Sequence, residues 1–265
     1  MNEIFDGARV LLSLAFLVYA SWSDWKAREV SNKVWAVLAP MAFALTTIQF
    51  VLFAQSLLFY YVLSFAVTSV LAIALFYAGA FGGADAKALM CLALALPYYP
   101  VYLLSGASFY SPVFPISVFS NAVLLAALTV VYSLLRNSFW RLRKGPRLFA
   151  GFEKESVWRK LLVLVTGYKV DVATLEKKMH VYPLEDISAK ETGVEERRLL
   201  VLPKDETQET IVGRIVAAGR EGKIQDGVWV TPGLPLLIFI TAGLVVALLY
   251  GDIIWILLRL LLPLP

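Results

Sequence analysis

The sequence contains a single cysteine, Cys91, and a single histidine, His180, among 265 residues. A lone thiol cannot close an internal disulfide, and one cysteine with one histidine cannot supply a cysteine-rich zinc site or a histidine pair. Cys91 lies in an apolar run and is predicted to be a packing residue, and His180 has polar neighbours and is predicted to lie at the surface. We therefore expect neither a metal nor a cofactor.

Charged residues are also scarce, because they make up 17% of the chain against about 25% in average soluble domains. Their placement is uneven as well. Residues 137–228 carry 17 Lys and Arg and 14 Asp and Glu, and the other 173 residues carry only 13 charges. Such a composition excludes a soluble enzyme, a disordered tail and a nucleic-acid-binding domain. It indicates a membrane protein with one polar segment.

Long uncharged runs mark the expected membrane spans. Residues 34–84 and 88–135 contain no Asp, Glu, Lys or Arg, and each run can hold two helices of roughly 20 residues with a turn between them. Together with the apolar segments near both ends, they predict six transmembrane helices, at 4–23, 33–53, 56–79, 86–104, 114–135 and 234–256. We expect the first to be a retained helix, because no basic segment precedes it and no small-residue cleavage site follows it.

Basic residues predict the orientation of these helices. They occur in the loops after the first, third and fifth spans, and the loops after the second and fourth have none. The basic residues concerned are Lys26, Arg28, Lys33, Lys87, Arg136, Arg141, Arg143, Lys144 and Arg147. Under the positive-inside rule, these loops face the cytoplasm and both termini lie outside. The chain is thus predicted to be a multi-pass protein of the plasma membrane.

The polar segment predicts a small cytoplasmic α+β domain between helices 5 and 6. The expected division is a membrane bundle at 1–136, the soluble domain at 137–228, and the sixth helix with the C-terminus at 229–265. Within the domain, the pattern predicts helices at 153–165 and 205–218 and strands at 168–174, 178–183, 197–203 and 227–231. The basic, Trp140-containing start of the domain suits either an anionic membrane surface or simple positive-inside bias.

Only six acidic residues lie outside the polar segment, and an acid at membrane depth needs a physical reason. Glu3 and Asp6 are expected at the outer end of the first span, within reach of solvent. Asp252 is expected either to pair with Arg259 or to lie at the outer surface. Glu29 is predicted to be a solvated loop charge, with attraction of a basic ligand as the alternative.

Asp24 and Asp85 form the most informative pair of acids. Asp24 follows the first span and Asp85 follows the third, and because these spans run in the same direction, both acids emerge at the same membrane face. Gly82 and Gly83 precede Asp85, and glycines allow a sharp bend or a close approach of another chain. Taken singly, each Asp also fits a juxtamembrane charge or a helix cap.

Two carboxylates that share a site do not both ionise easily, so one of them tends to retain its proton. The ionised partner can then take a proton from water while the protonated one polarises a peptide carbonyl. This is the arrangement of aspartic proteases. Because the pair titrates as a unit, the sequence does not say which Asp is the base.

At these residues the sequence resembles the archaeal preflagellin and prepilin peptidases of the type IV prepilin peptidase family, which are GxGD-type membrane aspartic proteases. Asp24 is followed by basic residues and then by Val30 and Asn32, as in the family's first motif. Gly82 to Asp85 is similar to the GxGD motif, with Ala84 where many members have Gly. Two further stretches are also similar, at 114–121 and 228–235.

The resemblance implies a membrane aspartic endopeptidase with Asp24 and Asp85 as catalytic residues and Gly82 and Gly83 as supporting residues. It implies removal of a short basic leader from precursors of archaellins or type IV pilin-like proteins at the cytoplasmic face. Because the chain lacks the paired cysteines of many bacterial members, we predict no methyltransferase activity. The expected partners are such precursors and the lipid bilayer, not nucleic acid.

Two functions of other classes remain open from the sequence. Intramembrane acids also serve ion relays, which makes a small proton- or ion-coupled transporter the first alternative. A non-catalytic membrane assembly factor that binds through its soluble domain is the second. Replacing Asp24 or Asp85 by Asn discriminates between these readings, because only the peptidase requires both carboxyl groups for cleavage.

Overall fold

A computed structural model describes residues 2–101, 110–144, 148–177, 181–189, 195–200, 208–224, 226–232 and 235–262. The chain divides into two compact units. The first comprises Met1–Ala126 and Pro235–Pro265, and the second is Ala127–Leu234. The first unit is therefore built from both ends of the chain, and the second is inserted between them.

The first unit is helical. Its helices are α1 Asn2–Ala27, α2 Asn32–Phe53, α3 Leu58–Tyr77, α4 Gly83–Ala95, the first part of α5 Phe114–Lys144, α9 Leu236–Tyr250 and α10 Ile253–Leu261, with a 3-10 turn at Gln55–Leu57. In the described part of the chain, four helical segments are long and apolar enough to cross a membrane, and the bent pair of α9 and α10 is a possible fifth. The chain is thus a multi-pass membrane protein, and the count of six spans stays a prediction.

Two helix ends differ from the expected spans. Helix α1 continues to Ala27, so Asp24 lies in its last turn rather than after it. Helix α4 ends at Ala95, although the sequence predicted a span over 86–104. Proline at position 97 disfavours helical geometry at the preceding residue, and Leu96 is accordingly the C-cap. The last residues of the predicted span, 102–104, lie outside the described part of the chain.

The last span is broken at Gly251, where the helix axis bends by 57°. Gly251 has a φ of +88°, which favours glycine. Asp252 is 1% exposed and caps α10 by accepting the N–H of Ile254 at 3.1 Å. The expectation that Asp252 lies at the outer surface is therefore wrong, because the carboxylate is buried as a cap and also accepts the Ser120 hydroxyl at 3.0 Å.

Asp6 is also buried, contrary to the expectation that solvent reaches it. Asp6 and Arg9 are both fully buried and form an ion pair one helical turn apart. Arg9 also donates to the carbonyl of Ala95 at 3.1 Å, and the Gln49 amide donates to Asp6 at 3.0 Å. The pair therefore links α1 to α2 and to the end of α4, and its opposite charges remove the need for solvent.

The second unit has an α+β architecture. After the end of α5 come α6 Val157–Thr166, β1 Tyr168–Val170, α7 Val172–Lys177, β2 Val181–Pro183, β3 Glu185–Ala189, β4 Glu195–Leu199, α8 Gln208–Arg220 and β5 Val228–Pro232. The three-stranded antiparallel sheet has the order β1-β5-β2, and β3 pairs with β4. Helix α8 and the first sheet share a core that includes Ile211, Ile215 and Val230.

The elements of this unit follow the sequence prediction in part. The predicted strand at 168–174 is β1 for three residues and then becomes α7. Strand β3, which begins with the acidic residues Glu185 and Asp186, was not predicted. Both are buried, and their charges are balanced by Arg197 and Arg214 on neighbouring elements. His180, Asp205 and the strand residues 178–180 and 201–203 lie outside the described part of the chain.

Candidate functional site

Asp24 is held at the end of α1. Arg28 ends the helix with a φ of +58°, and its N–H donates to the Asp24 carbonyl at 3.0 Å. The Ser23 hydroxyl donates to the carbonyl of Glu29 at 2.8 Å, so the following loop folds back against the last turn. The carboxyl group is partly buried as a result. A non-glycine residue in the left-handed region is uncommon and often marks a functional position.

Asp85 occupies the first turn of α4. Its Oδ2 accepts the N–H of Gly82, the N-cap residue, at 2.9 Å. An acid at this position also suits the positive end of the helix dipole. Asp85 precedes the predicted fourth span and lies outside every helix long enough to cross a membrane. The carboxylate is therefore fixed by its own helix terminus.

The glycines before Asp85 allow a close approach rather than a bend. Gly82 has a φ of −74°, which any residue adopts. A Cβ at Gly82 would lie 3.1 Å from Asp85 Oδ2, whereas one at Gly83 would meet only Phe76, at 3.8 Å. The carboxylate thus lies over the face of Gly82 where a side chain would stand. The bend itself occurs at Gly79, which has a φ of +73°.

The two acids interact electrostatically. Burial raises the pKa of Asp85 to about 6, the Gly82 N–H opposes this, and the charge of Asp24 raises the pKa further. Helices α1 and α4 pack against each other, which brings the two residues to one end of the first unit. Among residues 2–101, no hydrogen bond joins the two carboxyl groups. The two carboxyl groups therefore influence each other electrostatically without sharing a hydrogen bond.

A contact that the sequence did not reveal lies beside Asp85. Lys87 Nζ donates to Asn32 Oδ1 at 2.7 Å and so ties the start of α4 to the start of α2. Both residues are exposed. The signal was present in the pattern, because Asn32 and Lys87 each lie in the segment of one Asp motif, but their pairing follows only from the packing of α2 on α4.

The other stretches that resemble the family have structural roles where the structure describes them. The Asn121 side chain donates to the carbonyl of Gly251 at 2.8 Å and accepts the N–H of Ile253 at 3.0 Å. It therefore holds the break between α9 and α10. Trp229 in β5 is fully buried and stacks on Phe149. Phe119, in the first of these stretches, packs edge-to-face on Phe81, four residues before Asp85, with the ring centroids 5.7 Å apart.

A second charged cluster lies in the second unit. Arg197 donates to Glu185 at 2.8 Å and to Asp226 at 2.6 Å, and Lys169 donates to Asp226 as well. Burial raises the pKa of Glu185 against the effect of Arg197. Burial would also raise the pKa of Asp226, but the hydrogen bonds from Lys169 and Arg197 hold it below its usual value. The cluster connects β1, β3 and β4 and neutralises itself, which indicates a structural role.

Side chains that bind metals do not cluster in the part of the chain that the structure describes. No group of three or more His, Cys, Asp or Glu side chains converges there as metal ligands would. Cys91 is buried in the helical core, as its apolar neighbours predicted. The acids Asp24 and Asp85 therefore remain the candidate reactive groups of the first unit.

Comparison with known families defines the class of this protein. Residues 11–133 match the Type IV leader peptidase family, and residues 159–253 match the archaeal peptidase A24 C-terminus, type II. Both matches are to peptidase A24 models, and they confirm the resemblance to this peptidase family that was inferred from the Asp motifs.

Two individual proteins align along nearly the whole chain. The preflagellin peptidase of Methanococcus maripaludis (strain C6 / ATCC BAA-1332) is 26% identical over 247 residues, covering 89% of this chain and 92% of that protein. The preflagellin peptidase of Methanococcus voltae is 27% identical over 247 residues, covering 91% and 94%. The similarity thus extends over both units rather than over the Asp motifs alone.

Proposed function

We propose that this protein removes leader peptides from preflagellin-like precursors by an aspartic mechanism, with Asp24 and Asp85 as the catalytic pair. The observation that carries the proposal is the electrostatic coupling of the two acids at one end of the helical unit. Family membership supports leader-peptide cleavage. The names of the two aligned relatives support a preflagellin as substrate.

The chemistry needs one ionised and one protonated carboxyl group. The ionised group takes a proton from water, and the resulting hydroxide adds to the carbonyl carbon of the scissile peptide. The protonated group donates its proton to the carbonyl oxygen. When the tetrahedral intermediate collapses, the carboxyl group that took the proton from water donates it to the leaving nitrogen as the C–N bond breaks, and the other carboxylate regains its proton from a hydroxyl of the intermediate. The raised pKa of Asp85 favours it as the group that holds the proton before substrate arrives.

The substrate must bridge the two acids. Since Asp24 and Asp85 share no hydrogen bond, a water molecule and the scissile peptide can lie between them. The hydrogen bond from Gly82 keeps one carboxylate in place while this happens. Preorganisation of this kind lowers the free energy of activation without movement during the reaction.

We place the reaction at the cytoplasmic face. Basic residues follow both Asp24 and Asp85 in the sequence, and they support this orientation through the positive-inside rule. A short basic leader would meet the exposed carboxylate of Glu29 near Asp24, which would favour its approach by charge attraction. We propose peptidase activity alone, without methyl transfer.

The test is cleavage of a preflagellin with its leader intact, in proteoliposomes. We expect Asp24→Asn and Asp85→Asn each to reduce the rate by about 10²–10⁴-fold, the usual contribution of positioned acid–base groups. The matched control is Glu3→Gln, because Glu3 is an exposed acid on α1, the helix that carries Asp24. Asp252 is unsuitable as a control, since it is buried and caps α10.

Equal folding of the variants is checked by thermal unfolding in detergent. Loss of cleavage in both Asp variants, with Glu3→Gln active, supports the pair. Retained cleavage in either Asp variant contradicts the aspartic mechanism. If the wild-type protein never cleaves a preflagellin, the proposed substrate is contradicted. The transporter and the assembly factor are then the favoured functions.

A further inference from the structure

Helix α6 of the second unit has two apolar faces, and only one of them is buried. Val163 is 1% exposed and packs with Phe152, Leu199 and Trp229 in a small core. Ser156 caps the helix by accepting the N–H of Arg159 at 3.3 Å. The buried face thus accounts for the position of α6 in its unit but not for the rest of its apolar residues.

The other face presents three large apolar side chains to the surroundings. Val157 is 73% exposed, Trp158 is 68% exposed and Leu161 is 46% exposed. Their spacing of three and four residues places them on one side of the helix. We call these three residues the α6 outer face. A contiguous exposed apolar face with a tryptophan marks an interaction surface rather than chance exposure.

The charged residues within α6 are all basic, although one of them, Arg159, is paired with an acid. Helix α6 contains Arg159 and Lys160 and no acidic residue. Glu155, just before the helix, is engaged because it accepts the N–H of Leu199 at 3.0 Å and pairs with Arg159 at 3.2 Å. Tryptophan and aliphatic residues on one face with Lys and Arg at its border are typical of helices that lie in a membrane interface.

We propose that the α6 outer face rests in the headgroup region of the membrane that holds the first unit, with Arg159 and Lys160 directed to anionic lipid headgroups. Two observations favour lipid over protein as the occupant. The second unit is connected at both ends to apolar helices, α5 and α9, so the bilayer is always within reach of a short tether. A stable protein interface uses roughly 20–30 residues per partner, and the outer face offers three.

Trp140, near the end of α5, does not belong to an exposed apolar surface, although its neighbour Phe139 is 63% exposed. The ring of Trp140 lies where a Cβ on Gly227 would stand, at 2.7 Å, and so it faces the interior of the second unit. Asn137 of α5 donates to the carbonyls of Leu164 and Gly167, at 3.2 and 2.8 Å, and fixes the end of α6 to α5. The anchoring aromatic residue of the unit is therefore Trp158 rather than Trp140.

The experiment measures the depth of single spin labels in the full-length protein. Cys91 is the only cysteine of the sequence, so Cys91→Ala gives a background for Trp158→Cys or Leu161→Cys. The matched control is Glu209→Cys on α8, which is exposed and lies in the same unit. The protein is placed in nanodiscs of phosphatidylcholine alone or with one part in three of phosphatidylglycerol, and accessibility to oxygen and to a nickel chelate is compared.

We expect the oxygen-to-nickel accessibility ratio at 158 and 161 to exceed that at 209 by about threefold or more, because oxygen concentrates in the lipid and the chelate in water. Anionic lipid should increase the ratio, and Arg159→Glu with Lys160→Glu should reverse that increase. The Leu161→Cys variant retains Trp158, whereas Trp158→Cys removes it. A low oxygen-to-nickel ratio at position 158 alone therefore reflects loss of the tryptophan, and the ratio at position 161 decides whether the face lies in lipid.

Three results overturn the proposal. Equal nickel accessibility at 161 and 209 in both discs shows that the face is solvated. Shielding from both reagents in discs and detergent alike shows that protein covers it. A short distance between labels on two copies, measured by pulsed dipolar spectroscopy, shows that a second chain is the occupant. None of these readouts depends on peptidase activity.

Discussion

Replacing Gly82 by alanine tests the geometry around Asp85 without removing a charge. The added Cβ would lie 3.1 Å from Asp85 Oδ2, so the carboxylate must shift by a few tenths of an ångström. The backbone at Gly82 has a φ of −74°, and alanine introduces no strain there. The neighbouring substitution Gly83→Ala is a matched control, because its Cβ meets only Phe76 at an ordinary 3.8 Å.

The expected size of the effect follows from the hydrogen bond that is disturbed. A hydrogen bond to a charged group contributes about 1.5–3 kcal/mol, so weakening the Gly82 N–H contact by half removes about 1 kcal/mol. This corresponds to roughly a fivefold slower reaction. Displacement of the catalytic group adds to this, and the full cost of a 1 Å error is about 10²-fold. We therefore expect Gly82→Ala to lower kcat by about 5- to 50-fold, within these two limits.

The assay is single-turnover cleavage of a preflagellin in proteoliposomes across a pH series. The Gly82 N–H lowers the pKa of Asp85, so weakening it should also move the pH profile to higher pH. A variant that is merely misfolded would lose rate without that movement. The reasoning is refuted if Gly82→Ala matches the wild type, or if Gly83→Ala is impaired to the same degree.

Two further predictions concern pH and helix packing. The rate of cleavage should fall as pH rises through about 6, because burial raises the pKa of Asp85 to that value and deprotonation leaves two charged carboxylates. A rate that is flat or rising between about pH 6 and 8 would contradict this prediction. Gly243→Ala should destabilise the first unit by about 1–3 kcal/mol, since its Cβ would lie 2.6 Å from the carbonyl oxygen of Val118. Gly213→Ala on α8 has open space and should instead stabilise the second unit by about 0.5–1 kcal/mol, and thermal unfolding in detergent that gives the reverse order would exclude the packing argument.

The proximity of Asp24 and Asp85 could be predicted from the expected topology alone. The first and third predicted spans run in the same direction. The acids that follow them, Asp24 and Asp85, are therefore expected at the same membrane face. The sequence could not show how each carboxylate is held, since the contact of Gly82 with Asp85 depends on where α4 begins. It also suggested a bend at Gly82 and Gly83, which the structure places at Gly79 instead.

The burial of charged residues was the feature least predictable from the sequence. Asp6 was expected in solvent because it lies near a span end, yet it is buried with Arg9 three residues later. That i, i+3 spacing was visible in the sequence and would have indicated a pair. Strand β3 was missed for a related reason, because Glu185 is compensated by Arg197 from another strand, and such pairing has no local signature.

The construction of the first unit from both ends of the chain has a consequence for biosynthesis. Helix α1 packs against α9, and the Ser21 and Thr241 hydroxyls bond at 2.7 Å across 220 positions of sequence. The ribosome therefore synthesises α1, which carries Asp24, long before it synthesises α9. The inserted unit is translated between the two helices. Helix α1 therefore keeps one side uncovered until α9 has been synthesised, and its packing is complete only after that step.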